Sequence, residues 1–127
     1  MRLLIDTHAL IWHYEANAAL SEEAKKLIDA PDSRLFISVA SLWEMVIKLS
    51  LGKLTLRKDV RAIVALYQDA GARLLPVNLE HVLTVQTLPW HHRDPFDRLL
   101  VAQAIQEDLV LISHDHKLND YPVSRRW

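Results

Sequence analysis

The chain has 127 residues, half of them hydrophobic and about a quarter charged, with only two glycines and five prolines. That is enough chain for one domain with a real core, and it excludes disorder and collagen-like repeats. The absence of cysteine excludes disulfides, thiolate metal sites and a cysteine nucleophile, and a formal net charge of −1 argues against a role that rests on global basicity.

Leu3-Leu4-Ile5 forms a short buried strand, and the helix that follows spans Thr7 to about Tyr14. Asp6 breaks the opening apolar run, so no leader peptide is predicted. Ser21 caps a helix with Glu22 and Glu23 in its first turn, and Pro31 lies just beyond its end. Leu35 to Val39 is the second strand. Ser41 is the expected cap of a helix running to about Ser50, with Gly52 at its stop. Val60, Ile63, Val64 and Tyr67 give helical spacing between about Asp59 and Asp69, ended by Gly71. Leu74 to Val77 is an extended piece with Pro76 at an edge or end, and a helix from Leu79 to Leu88 follows. Asp94 caps a helix with Pro95 in its first turn, running to about Glu107. Its apolar residues cover more than one face, which predicts burial on several sides or against a second subunit. Leu109 to Ile112 is a strand, Asp115 to Leu118 a short helical turn, and Val123 begins a last edge strand. No apolar run approaches the roughly 20 residues of a membrane span. Short apolar strands alternating with helices predict an α/β fold, a parallel sheet covered on both faces, as a single domain over 1–127.

In such sheets the ligand site lies beyond the carboxyl ends of the strands. Asp6 directly follows the first strand. Glu44 lies early in the helix after the second strand, Asp97 in the first turn of its helix, and Asp115 three residues after Ile112. Singly, each has a plainer role: Asp6 and Asp115 as helix caps, Asp97 as a partner of the helix dipole. Glu44 resists that reading, because Leu42 to Ile47 is otherwise an apolar helix and a buried carboxylate needs a partner. Together the four acids repel one another, and a hard divalent cation such as Mg²⁺ removes that penalty. Such a cation also activates water and neutralises charge on a phosphoryl group.

Leu4-Ile5-Asp6-Thr7-His8-Ala9-Leu10, Ser41-Leu42-Trp43-Glu44, His92 through Leu100 and Leu111-Ile112-Ser113-His114-Asp115 resemble, in order, the motifs of PIN-domain proteins. The resemblance is greatest to VapC-type toxins of bacterial toxin–antitoxin pairs. It implies a PIN-like three-layer fold with a central, mostly parallel sheet flanked by helices. It also implies a Mg²⁺- or Mn²⁺-dependent endoribonuclease that hydrolyses RNA phosphodiesters with a metal-activated water. Asp6, Glu44, Asp97 and Asp115 correspond to the family's acidic quartet, with Asp6, Asp97 and Asp115 as the nearer metal ligands. Thr7 and Ser113 match polar positions that orient the carboxylates, and Asp94 serves as helix cap with a smaller claim on the site. The resemblance further implies a homodimer, a cognate VapB-type antitoxin covering the acidic pocket, and a cytoplasmic location.

Arg98 and Lys48 are the expected contacts for flanking RNA phosphates. His91 and His92 are set aside as metal ligands because adjacent residues point apart, and no HExxH spacing exists among the seven histidines. His8 or His114 is expected to hydrogen-bond near the pocket. The four tryptophans read as core or interface anchors, and only Trp90, near Arg93, suits base stacking. No GxSxG or phosphate-binding glycine loop is present. Two alternatives stand beside the nuclease: a catalytically silent RNA- or protein-binding module of the same fold, and a metal-dependent phosphatase.

Overall fold

The computed structural model describes residues 1–127. The elements run β1 (Arg2–Ile5), α1 (Thr7–Tyr14), α2 (Glu22–Asp29), β2 (Arg34–Ser38), α3 (Val39–Ser50) and α4 (Val60–Asp69). They continue with β3 (Arg73–Leu75), α5 (Leu79–Thr87), α6 (Pro95–Glu107), β4 (Val110–Ile112), a 3-10 turn (His116–Asp120) and β5 (Arg125–Arg126). The strands form one sheet in the order β3-β2-β1-β4-β5. Every neighbouring pair is parallel, so all five carboxyl ends lie at one edge.

Period-two alternation sends side chains to opposite faces of the sheet. Leu3, Ile5, Ile37 and Ile112 pack on one side with Leu10, Ala24, Met45 and Ile63 from α1 to α4. Leu4 and Leu111 pack on the other with Leu100, Val101 and Ala104 of α6. Each fully buried leucine or isoleucine contributes roughly 1.5–3 kcal/mol, which is how strands of two to five residues hold a sheet. The α/β, three-layer expectation is met. The surplus apolar surface of α6 is explained within the chain, because this helix lies between the sheet and α5.

Helix starts follow the capping chemistry. Asp6, Ser21, Asp59, Asn78 and Asp94 each accept a backbone N–H of the first turn. Ser41 departs from expectation. The cap of α3 is Ser38, whose hydroxyl accepts the Ala40 N–H at 3.1 Å, and Ser41 is buried inside the helix. The chain turns from strand to helix with no linker, so the serine that ends β2 is the one that caps. The last strand also starts later than expected. Val123 donates to the Tyr121 carbonyl at 2.8 Å in a turn, and pairing with β4 begins at Arg125. Gly52 and Gly71 both adopt positive φ after helix ends, where a side chain would be strained. No helix is long and apolar enough to cross a membrane.

Candidate functional site

Strand ends deliver the acids to one edge. The Asp6 backbone extends the β1–β4 ladder by donating to the Ile112 carbonyl at 3.0 Å, and its side chain accepts the Ala9 N–H at 2.8 Å. Asp115 follows β4, where its backbone N–H is held by the Ser113 hydroxyl at 3.2 Å. Asp97 enters from the first turn of α6, aimed by the Asp94-Pro95 cap. Asp6, Asp97 and Asp115 thereby line one open cleft of about 360 Å³, bordered by His8, Trp12, His114 and His116. Glu44 is buried, and its charge reaches both Asp6 and Asp97.

The carboxylates are not equivalent. Burial raises the Asp6 pKa against the opposing bonds from Ser113 and Ala9. Burial, then repulsion from Asp94 and Asp6, pushes Asp97 up to about 7. Asp115 is lowered, because His92 and the Lys117 N–H outweigh the effect of its burial. Asp97 therefore holds a proton far above the usual carboxylate range, as expected where burial and neighbouring acids outweigh the one opposing group, His92.

His92 was not foreseen in the site. Its Nε2 lies 2.6 Å from Asp115 Oδ2 and 3.4 Å from Asp97 Oδ2. Adjacent residues do point apart: His91 turns to the Tyr121 ring, while His92 turns to the acids. The sequence signal was its place two residues before the Asp94-Pro95 cap, which shares that edge. Its ring is held locally, by Nδ1 accepting the Asp94 N–H at 3.0 Å, and its backbone N–H donates to Tyr121 Oη at 3.0 Å. His8 and His114 border the cleft but pack in a ring cluster with Trp12.

Both expected phosphate cations are otherwise engaged. Arg98 is 3% exposed, and its guanidinium donates to the Pro89, Val85 and Leu88 carbonyls and the Tyr121 hydroxyl. An arginine in the all-round buried α6 must satisfy its donors inside the protein, so it is no phosphate contact. Lys48 Nζ lies 3.1 Å from Glu44 Oε2 and serves as that acid's counter-ion.

The residues fit a hard divalent cation. One donor atom from each of His92, Asp97 and Asp115 lies within 4.8 Å of the others, and carboxylates dominate the set. The buried Thr7 hydroxyl, next to Asp6, and the buried Ser41 hydroxyl, one turn before Glu44, have no hydrogen-bond partner in the protein. Such hydroxyls suit the water shell that Mg²⁺ retains. Ser113 donates its hydroxyl to Asp6, and Asp94 caps α6.

The same architecture occurs in solved structures. VapBC2 from Rickettsia felis, bound to a promoter DNA fragment, matches with a TM-score of 0.72 at 12% identity, covering 99% of this chain and 98% of that one. VapBC-1 from nontypeable Haemophilus influenzae matches at 0.65 and 20% identity, covering 99% and 97%. FitAcB from Neisseria gonorrhoeae matches at 0.63 and 16%, covering 97% and 95%. At these identities the likeness shows the fold. No curated protein matches the chain at a significant level. The sequence profile of the PIN domain matches residues 3–123, nearly the whole length, and the chain therefore belongs to the PIN-domain family.

Proposed function

We propose that this single PIN domain is a Mg²⁺- or Mn²⁺-dependent endoribonuclease, the toxin of a toxin–antitoxin pair acting in the cytoplasm. The observation that carries the reading is the cleft where Asp6, Asp97 and Asp115 meet, with Asp97 pushed up to about 7 by burial and by repulsion from Asp94 and Asp6. Asp97 and Asp115, with His92 beside them and Asp6 across the cleft, would hold the cation. When bound, the cation supplies an activated water and neutralises charge building on the phosphoryl group. The chain's own part is placement. The Ala9 N–H and Ser113 hydroxyl orient Asp6, the α6 cap orients Asp97, and the Lys117 N–H orients Asp115. Lys48 pairs with Glu44 behind them. His92, hydrogen-bonded to Asp115, is placed to carry a proton at Nε2.

The structural neighbours named above include toxin–antitoxin complexes of other organisms, which supports a VapB-type antitoxin as partner. Val39, Trp43 and Val46 form an exposed apolar stripe on α3, which supports a homodimer or a protein partner. The test is RNA cleavage with Mg²⁺ or Mn²⁺. Wild type cuts and EDTA stops it, while Asp6→Asn and Asp97→Asn, folded by circular dichroism, lose roughly 100-fold or more. Wild-type rates in both variants would end the reading.

A second reading has one observation in its favour: His92 Nε2 already bridges Asp97 and Asp115 from within the chain. That suits a silent RNA- or protein-binding module. Such a module gives no Asp97-dependent heat on calorimetric titration with Mn²⁺.

A further inference from the structure

We infer that the loop before α6 carries a nucleotide subsite, in which Trp90 stacks on a base of single-stranded RNA while Arg93 and Lys117 hold the adjoining phosphate. The inference deepens the ribonuclease reading and rests on it for the identity of the strand.

Trp90 is 78% exposed, the most exposed large hydrophobic residue of the chain. It is nonetheless held in place. The Arg98 guanidinium carbon lies 3.9 Å from the centroid of its ring, a cation–π contact with a buried partner. Arg98 is fixed in turn: it donates to the Pro89 carbonyl at 2.8 Å, the Tyr121 hydroxyl at 3.1 Å, and the Val85 and Leu88 carbonyls at 3.3 Å. These carbonyls belong to the last turn of α5 and the residues after it, where a helix leaves acceptors without full intrahelical pairing. One face of the indole thus rests on an immobile cation, and most of the ring stays open to solvent. A ring ordered in advance loses little freedom when a ligand arrives. Every nucleobase offers a π-face, so stacking on such a ring tolerates sequence.

The surroundings match a nucleotide rather than an apolar ligand. Trp90, His91, His92, Arg93 and Lys117 line a pocket of about 300 Å³ in which the indole is the sole hydrophobic side chain. Arg93 and Lys117 are exposed, and neither belongs to any of the protein's ion pairs. Two unneutralised cations beside an aromatic face are what a phosphate and its base need. His92 is shared with the acidic cleft: it lines this pocket and touches Asp97 and Asp115. A strand with its scissile phosphate at the acids therefore has a neighbouring nucleotide within reach of Trp90. The buried arginine acquires a purpose in the same step, as the support on which the ring lies.

The test uses a single-stranded RNA oligonucleotide carrying 2-aminopurine, titrated in Mg²⁺ into the Asp97→Asn protein, which binds without cutting. The parent quenches 2-aminopurine fluorescence. Adding Trp90→Ala abolishes the quench and weakens affinity at least about fivefold, whereas Trp90→Phe retains most of both. Arg93→Ala with Lys117→Ala weakens binding and flattens its dependence on salt. Quench and affinity unchanged in Trp90→Ala would overturn the subsite. So would unchanged RNA binding with an altered oligomeric state by light scattering, which makes Trp90 a protein contact. The ribonuclease reading fails separately, if wild type with Trp90 intact leaves RNA uncut.

Discussion

Asp97 and Asp29 occupy opposite ends of their helices and titrate in the wrong directions for those ends. Asp97 sits in the first turn of α6, where the helix dipole favours a negative charge, yet its pKa is raised to about 7. Asp29 is the last residue of α2, where the dipole disfavours one, yet its pKa is lowered. The dipole is worth roughly 0.3–1 kcal/mol, and the neighbours outweigh it in both places. At Asp29 burial works against ionisation, but Lys25 at 2.7 Å and His13 at 2.8 Å more than offset it. At Asp97 burial is joined by Asp94 and Asp6, with only His92 in opposition. Each lies beside a hollow of similar size, about 280 Å³ at Asp29 and about 360 Å³ at Asp97. Volume does not distinguish a functional site here, but unbalanced charge does.

The sharpest break of the comparison is in activity. Asp97→Asn should lose roughly 100-fold or more in RNA cleavage, whereas Asp29→Asn should stay within about twofold and cost about 1 kcal/mol or less of stability. Comparable losses in both would make the two acids equivalent.

Stability against pH, measured in EDTA, should separate them next. The native state keeps the Asp97 proton to higher pH than the unfolded chain does. This group therefore lowers metal-free stability as pH rises from 3.8 to about 7. Asp29 has the opposite sign: its contribution is present above 3.8 and lost as pH falls through its lowered value. Denaturant midpoints should show Asp97→Asn more stable than wild type at pH 8 by roughly 1–3 kcal/mol. On the proposed function, Mg²⁺ should narrow that gap by binding the wild-type site. A variant less stable than wild type at pH 8 would contradict the assigned crowding.

The smallest effect belongs to the balanced region. Ala16, on the loop after α1 beside His13, adopts a left-handed φ of 52°. Ala16→Gly should raise stability by about 0.5–1 kcal/mol, a few degrees in Tm, with cleavage unchanged. Loss of activity there would tie this loop to the site.

Legibility in the sequence followed locality. Strand placement, all-helix order and most caps were readable because period, cap residues and glycine stops act within a few positions. The Ser38–Ser41 exchange shows the limit, since both serines can cap and only the abrupt strand-to-helix turn selects the first. The meeting of Asp6, Asp97 and Asp115 was readable because parallel strands must leave their carboxyl ends at one edge. His92 and Arg98 were not. Each has a hydrogen bond to the Tyr121 hydroxyl, more than twenty residues away, which no local pattern records, while the His92 ring itself is held by the Asp94 N–H. A hint for Arg98 did exist: a helix apolar on every side must bury its polar residues too.

The buried Arg98 also fixes how this scaffold could be re-engineered. Its planar fork reaches four acceptors at once, spread over the end of α5, the following residues and Tyr121, a pattern that three ammonium donors cannot copy. Anyone wishing to transplant the Trp90 loop into another PIN domain would need to move the arginine, the tyrosine and the closing turn of α5 as one cassette. Grafted alone, the indole would have nothing to stand on.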